Sequence, residues 1–135
     1  MKGFHFAVAG LFMAACLSLH AQTINVRANI PFDFQLGPTA MPAGDYYIHH
    51  SAGVIVLRQQ DGNHAGVLSF TVSQERHGDA TGGELRFNRY GNAYFFEALW
   101  EPGSREGQAV RMSAHEKELA RRGSHSPDVV AVRTN

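Results

Sequence analysis

The chain has 135 residues, 12 basic against 12 acidic side chains, 44% hydrophobic residues and one cysteine. That is enough for one domain with a core, too little for two ordinary domains, and too apolar for a disordered chain. The neutral balance excludes the basic stripe of a nucleic-acid binder and the acidic block of a solvating tail.

Lys2 is followed by an uncharged apolar stretch from Phe4 to Leu19, and His20-Ala21 then leads into polar Gln22-Thr23. The stretch is shorter than the ~20 residues of a bilayer span. A positive start, an apolar middle and a small final residue predict a signal peptide over 1–21, cleaved after Ala21. The expected destination is the periplasm or the cell exterior, with no transmembrane span in the mature chain. Met13-Ala14-Ala15-Cys16 offers a lipoprotein alternative, but Leu17 to Leu19 stay apolar where a lipoprotein would turn polar. Cleavage leaves 114 residues with 11 basic against 12 acidic side chains and no cysteine. A disulfide, a thiol nucleophile and a thiolate metal site are thereby excluded from the mature chain.

From Ile24 to Leu36 apolar and polar residues alternate, which predicts a half-buried strand. Pro31 interrupts it; having no N–H, it marks an edge, a bulge or a break between two shorter strands. Turn chemistry at Gly37-Pro38 and Pro42-Ala43-Gly44-Asp45 precedes strands over Tyr46–His50, Gly53–Gln60 and Ala65–Ser73. A loop over Asp61–His64 would set Leu57 opposite Leu68 and Ile55 opposite Phe70. A Gly91-Asn92 turn joins strands Glu84–Tyr90 and Ala93–Trp100. Its expected register sets Phe87 opposite Phe96, Leu85 opposite Ala98 and Arg86 opposite Glu97. Phe95 and Leu99 then share the Glu97 face, which something must cover.

Ser113 and Glu116 fit a capping box that starts a short helix, with Leu119 as its main apolar contact and Gly123 as its stop. Val129, Val130 and Val132 suggest a last strand or a docked tail within 124–135. The whole predicts a mainly β domain over 22–123: one antiparallel sandwich or small barrel of six or seven strands, with one short C-terminal helix.

Several segments together carry a resemblance: Ile30-Pro31-Phe32-Asp33-Phe34, Met41-Pro42-Ala43-Gly44-Asp45-Tyr46, Leu85-Arg86-Phe87, Tyr90-Gly91, Tyr94-Phe95-Phe96 and Trp100. In that order they resemble an uncharacterised family of short exported bacterial proteins. The family pattern is a PFDF strand, a PAGxY turn, an F.RYG..YF hairpin and a final charged helix. Met41 stands where the pattern has leucine. The resemblance implies a secreted β-rich domain and brings no catalytic residues with it.

Constellations for chemistry are sparse. His49 and His50 point to opposite faces of a strand and cannot share one ion; with His64 and His77 they read as surface or turn histidines. There is no G-x-S-x-G elbow, and Gly82-Gly83 precedes a strand where a phosphate cradle needs a helix. Neither metal nor cofactor is expected. Three readings follow. The first is a non-enzymatic interaction or structural module of the cell envelope, facing an unknown protein or envelope component through Tyr47, Phe95, Leu99, Arg86 and Glu97. The second is a small apolar-ligand binder with a pocket lined by Phe32, Phe34, Phe70, Phe87 and Trp100. The third is a hydrolase built on His50 or His77. The first is favoured.

Overall fold

The computed structural model describes residues 23–69, 71–123 and 126–135. The predicted signal peptide, Cys16, Phe70 and the start of the 124–127 linker lie outside them. The fold is mainly β, with one short helix.

Among the described residues eleven strands appear where six or seven are expected: β1 (Ile24–Ile30), β2 (Phe34–Leu36), β3 (Thr39–Met41), β4 (Gly44–Ser51), β5 (Val54–Gln59), β6 (Ala65–Ser69), β7 (Val72–Glu75), β8 (Glu84–Tyr90), β9 (Ala93–Trp100), β10 (Glu106–Ala109) and β11 (Asp128–Arg133), with α1 (Ala114–Arg122) before the last. The surplus comes from strands that change sheet. Pro31 ends β1, which pairs with β4 in the first sheet; β2 then joins the second sheet, parallel to β9 at Gln35 and Phe95. The segment expected as one strand over 65–73 divides likewise into β6 in the first sheet and β7 in the second.

The first sheet has the order β1-β4-β5-β6 and the second β11-β8-β9-β10-β7, with β2 and β3 attached beside β9. The two form a sandwich and not a closed barrel. At the β1 edge the two sheets meet, where Asn135 N–H, just past β11, donates to the Arg27 carbonyl at 2.9 Å. No described helix is long and apolar enough to cross a membrane. The C-terminal segment is a full edge strand, with β11 paired to β8 from Asp128–Arg89 to Arg133–Glu84.

Inward positions of both sheets meet in one core that includes Ile24, Ile30, Ile48, Ile55 and Leu57 from the first sheet and Leu85, Phe87, Phe96 and Leu99 from the second. Burial of each large side chain contributes about 1.5–3 kcal/mol. Phe87 sits edge-to-face with Phe32, Phe34 and Phe96 at centroid distances of 5.0, 5.3 and 5.6 Å. Such pairs add to plain burial. Phe32, Phe34 and Phe87, three of the residues expected around a ligand pocket, therefore fill the space between the sheets. Trp100 is not among them, because it lies on the outer face of the second sheet over Gly107, whose Cβ would collide with the indole.

Two expected registers are corrected. The β8–β9 hairpin turns at Gly91-Asn92 and pairs Phe87 with Phe96 as expected, but Leu85 then faces Leu99 and Arg86 faces Ala98. Glu97 is an extra residue in β9, a bulge that shifts everything after it by one. Its carbonyl instead accepts from Val110 N–H at 2.8 Å. In the β5–β6 hairpin Gln59 N–H donates to the His64 carbonyl at 2.8 Å, so the loop is Gln60–Asn63. Leu57 consequently faces Gly66 and Ile55 faces Leu68. Gly66 leaves this space to Leu36 and Met41: a Cβ there would stand 2.7 Å from Leu36 Cδ2.

Candidate interaction surface

The five residues expected to form one surface are distributed over three environments. Leu99 is 0% exposed in the core between the sheets, because the Glu97 bulge turns it inward. Phe95 faces outward but is only 2% exposed. Tyr90 packs edge-on against it at 5.6 Å, and His115 of α1 lies 5.7 Å away. Neither residue is available to a partner, which corrects both expectations. Arg86 stays on the outer face of the second sheet, with its guanidinium 4.5 Å from the Trp100 ring and its Nε and Nη2 bonded to Glu84 at 3.2 and 3.1 Å. Glu97 is half-buried on β9, and its Oε2 has no hydrogen-bond partner among the described residues. Burial pushes its carboxyl above the ordinary value; Arg86 pulls it down and Glu84 pushes it up.

The outer face of the second sheet is partly covered by α1. Ser113 caps the helix as expected, its Oγ accepting from Glu116 N–H at 3.2 Å. The reciprocal half of the capping box does not form, because the Glu116 side chain turns toward β8. Its Oε2 accepts from Tyr90 Oη at 3.1 Å and Asn88 Nδ2 at 3.4 Å. Glu116, not Leu119, is the buried residue of this helix, at 3% exposure. Burial raises its carboxyl, the Tyr90 and Asn88 hydrogen bonds lower it, and the Glu97 charge raises it further. Burial pushes the Tyr90 phenol up to about 12, and Glu116 adds to the shift.

No described helix or strand packs on the outer face of the first sheet. Tyr47 is 42% exposed and Val67 is 57% exposed. Cross-strand pairing sets Arg27, Tyr47, Arg58 and Ala65 in one row, and Asn25, His49, Val56 and Val67 in the next. The Arg27 guanidinium stands 4.8 Å from the Tyr47 ring. No ion pair holds Arg27 or Arg58 among the described residues. Asp45, the carboxylate on the outward positions of β4, accepts from Asn29 Nδ2 at 2.8 Å, and His49 bonds Asn25 at 2.6 Å.

The histidines divide. His49 and His64 are exposed, as expected. His50 is 4% exposed, not a surface residue, because it takes an inward position at the end of β4. Its Nε2 lies 3.0 Å from Thr71 Oγ1, which itself donates to Gln108 Oε1 at 3.0 Å. The Thr71 hydroxyl thus links His50 to Gln108, a polar tie between the two sheets. No group of three or more His, Cys, Asp or Glu able to hold a metal occurs among the described residues. An open cleft of about 480 Å³ lies beside β2, β3 and the start of β9. Two of its polar side chains are bonded to the scaffold: Asp33 Oδ1 accepts from Ala43 N–H at 2.8 Å, and His64 Nδ1 bonds Gln59 Oε1 at 2.9 Å.

One buried residue has no sequence signal. Arg76 is 2% exposed, and its guanidinium donates to the carbonyls of Ser104, Gly82, Ala80 and Glu101 at 2.8, 2.7, 2.7 and 3.1 Å. Backbone carbonyls belong to every residue type, so nothing in the side chains announces the site. Comparison of the chain with family models, curated proteins and solved structures finds no match.

Proposed function

We infer that this chain is an exported, non-enzymatic interaction module that meets a protein partner through the outer face of its first sheet. The carrying observation is the row Arg27, Tyr47, Arg58, with the Val56–Val67 pair beside it on a face that no described element covers. An exposed ring between two guanidinia free of carboxylates suits a partner surface that brings an apolar side chain flanked by acids. The other outer face supports this reading by contrast, since α1 and the Arg86–Trp100 stack already occupy it. Export rests on the pattern of residues 1–21 and on the family resemblance.

Photo-crosslinking residues placed at Tyr47 and Val67 in the full chain, in its own cells, test the surface. Val129, which is exposed on the second sheet, serves as the control position. The expected result is one protein adduct of the same mass from positions 47 and 67, absent at 129 and lost when Arg27 and Arg58 are both changed to Glu. Adducts from 129 alone, or none from 47 and 67, overturn the reading. Intact mass tests export: a chain beginning at Gln22 is expected, and one retaining Met1 contradicts it.

A further inference from the structure

The cleft beside β2 and β3 has a floor that strand pairing defines. Gln35 of β2 stands between Ala40 of β3 and Phe95 of β9 in one cross-strand row. Its neighbours Phe34 and Leu36 belong to the core, so the Gln35 side chain takes the opposite, outer face. Four separate segments bring further polar side chains to the cleft: Asp33 ahead of β2, His64 ahead of β6, Asn92 in the β8–β9 turn and His115 on α1.

The fold leaves hydrogen-bonding capacity unused here. The amides of Gln35 and Asn92 make no hydrogen bond among the described residues. Asp33 engages Oδ1 on Ala43 N–H, and Oδ2 stays open. Gln59 Nε2 donates to the Ala43 carbonyl, so Gln59 Oε1 is left to accept from His64 Nδ1. The neutral imidazole then keeps its Nε2 lone pair as an acceptor. Among the described lining residues Asp33 is the one carboxylate and there is no Lys or Arg, so an anionic ligand would find no fixed cation. Amides, an imidazole acceptor and one carboxylate oxygen suit groups that both donate and accept, as hydroxyls do. Ala40, Pro42 and Ala93 add small apolar surface for the C–H groups between hydroxyls. The volume of about 480 Å³ lies within the about 300–1,000 Å³ of small-molecule sites.

We propose that this cleft binds a neutral saccharide, whose hydroxyls meet the Gln35 and Asn92 amides and Asp33 Oδ2. The cleft shares no residue with the Arg27–Tyr47–Arg58 row, so either surface stands without the other.

NMR titration of the full, isotope-labelled chain tests this, with glucose, galactose, N-acetylglucosamine and cellobiose added one at a time. At least one sugar is expected to give saturable shifts at the Gln35 and Asn92 side-chain amides and at the Ala40 and Ala93 backbone amides. Gln35→Leu and Asn92→Ala are each expected to weaken that binding by roughly tenfold, about the worth of one hydrogen bond. Unchanged signals from the core strands β8 and β9 show that each variant is folded. No saturable shift with any of the four sugars overturns the proposal. So does a shift that both variants leave intact, or one that maps to the Tyr47 row. Saturation by inorganic phosphate or ethanolamine with none by a sugar overturns it as well, since the cleft would then be an ion site.

Discussion

The loop end of the second sheet and the seam beneath α1 are each organised around one buried charged side chain. At the loop end, Arg76 donates four hydrogen bonds of 2.7–3.1 Å to carbonyls of two separate loops, with Glu84 at 3.9 Å. At the seam, Glu116 accepts two longer bonds of 3.1 and 3.4 Å, and the neighbouring charge has its own sign. A guanidinium stays charged at any physiological pH and matches several acceptors at once. A carboxylate under the same burial keeps the option of taking a proton. The first arrangement makes a fixed staple, and the second makes a contact whose strength depends on solution conditions.

The largest expected effect comes from breaking the staple. Arg76→Ala takes the guanidinium donors from the carbonyls of Ala80, Gly82, Glu101 and Ser104, of which Ala80 and Glu101 keep a backbone donor. An unsatisfied buried group costs about 1–3 kcal/mol, so the total should reach about 3 kcal/mol or more, although the losses will not add fully. Arg76→Lys should recover only part, because an ammonium has three donors and no planar fork. Urea unfolding measures both. A loss of less than about 1 kcal/mol for Arg76→Ala would show that water replaces the guanidinium, and that the two buried charges are more alike than the hydrogen bonds imply.

Tyr90→Phe sharpens the other side of the comparison. It removes one hydrogen bond to a charged group, with an expected cost of about 1.5–3 kcal/mol where that group is ionised. The lost bond is one that lowers the Glu116 carboxyl, so the variant's carboxyl should rise further. Stability measured by urea unfolding should fall more steeply with rising pH than in the parent chain, because a higher folded value extends the interval over which the proton is lost. A pH profile parallel to the parent's would mean that Tyr90 and Glu116 are not coupled. At alkaline pH the parent phenol itself should hold its proton until about 12.

Much of the frame was legible in the sequence. The alternation from Ile24 to Ile30, the break at Pro31, both strands around Gly91-Asn92 and the Ser113 cap all follow from local chemistry, and all occur. What escaped was set by partners far along the chain. The bulge at Glu97 falls in Phe95-Phe96-Glu97-Ala98-Leu99-Trp100, where apolar residues occupy both parities, so a period of two cannot reveal a one-residue slip. The β5–β6 loop moved by one residue because Gln60–Asn63 and Asp61–His64 contain the same Asp-Gly-Asn turn chemistry. That moved the register by two and left the faces unchanged. For the candidate surface, Tyr47 was found; Leu99 was assigned to it by a parity that the bulge reverses, and Phe95 keeps the expected outward face but is packed under Tyr90 and His115.

The smallest expected effect tests whether α1 depends on its surface charges at all. Arg122 Nη2 bonds Glu118 Oε1 at 2.6 Å, one turn apart, with the side chains 73% and 59% exposed. A pair of this kind supports a helix by about 0.2–0.5 kcal/mol and weakens with salt. Glu118→Ala should therefore lower the hydrogen-exchange protection of α1 less than twofold to threefold at low ionic strength, and hardly at all in high salt. If Glu118→Ala loosened α1 as much as Tyr90→Phe does, the helix would be held by its own surface chemistry. The buried carboxylate would then be a passenger, and the contrast with Arg76 would be one of geometry alone.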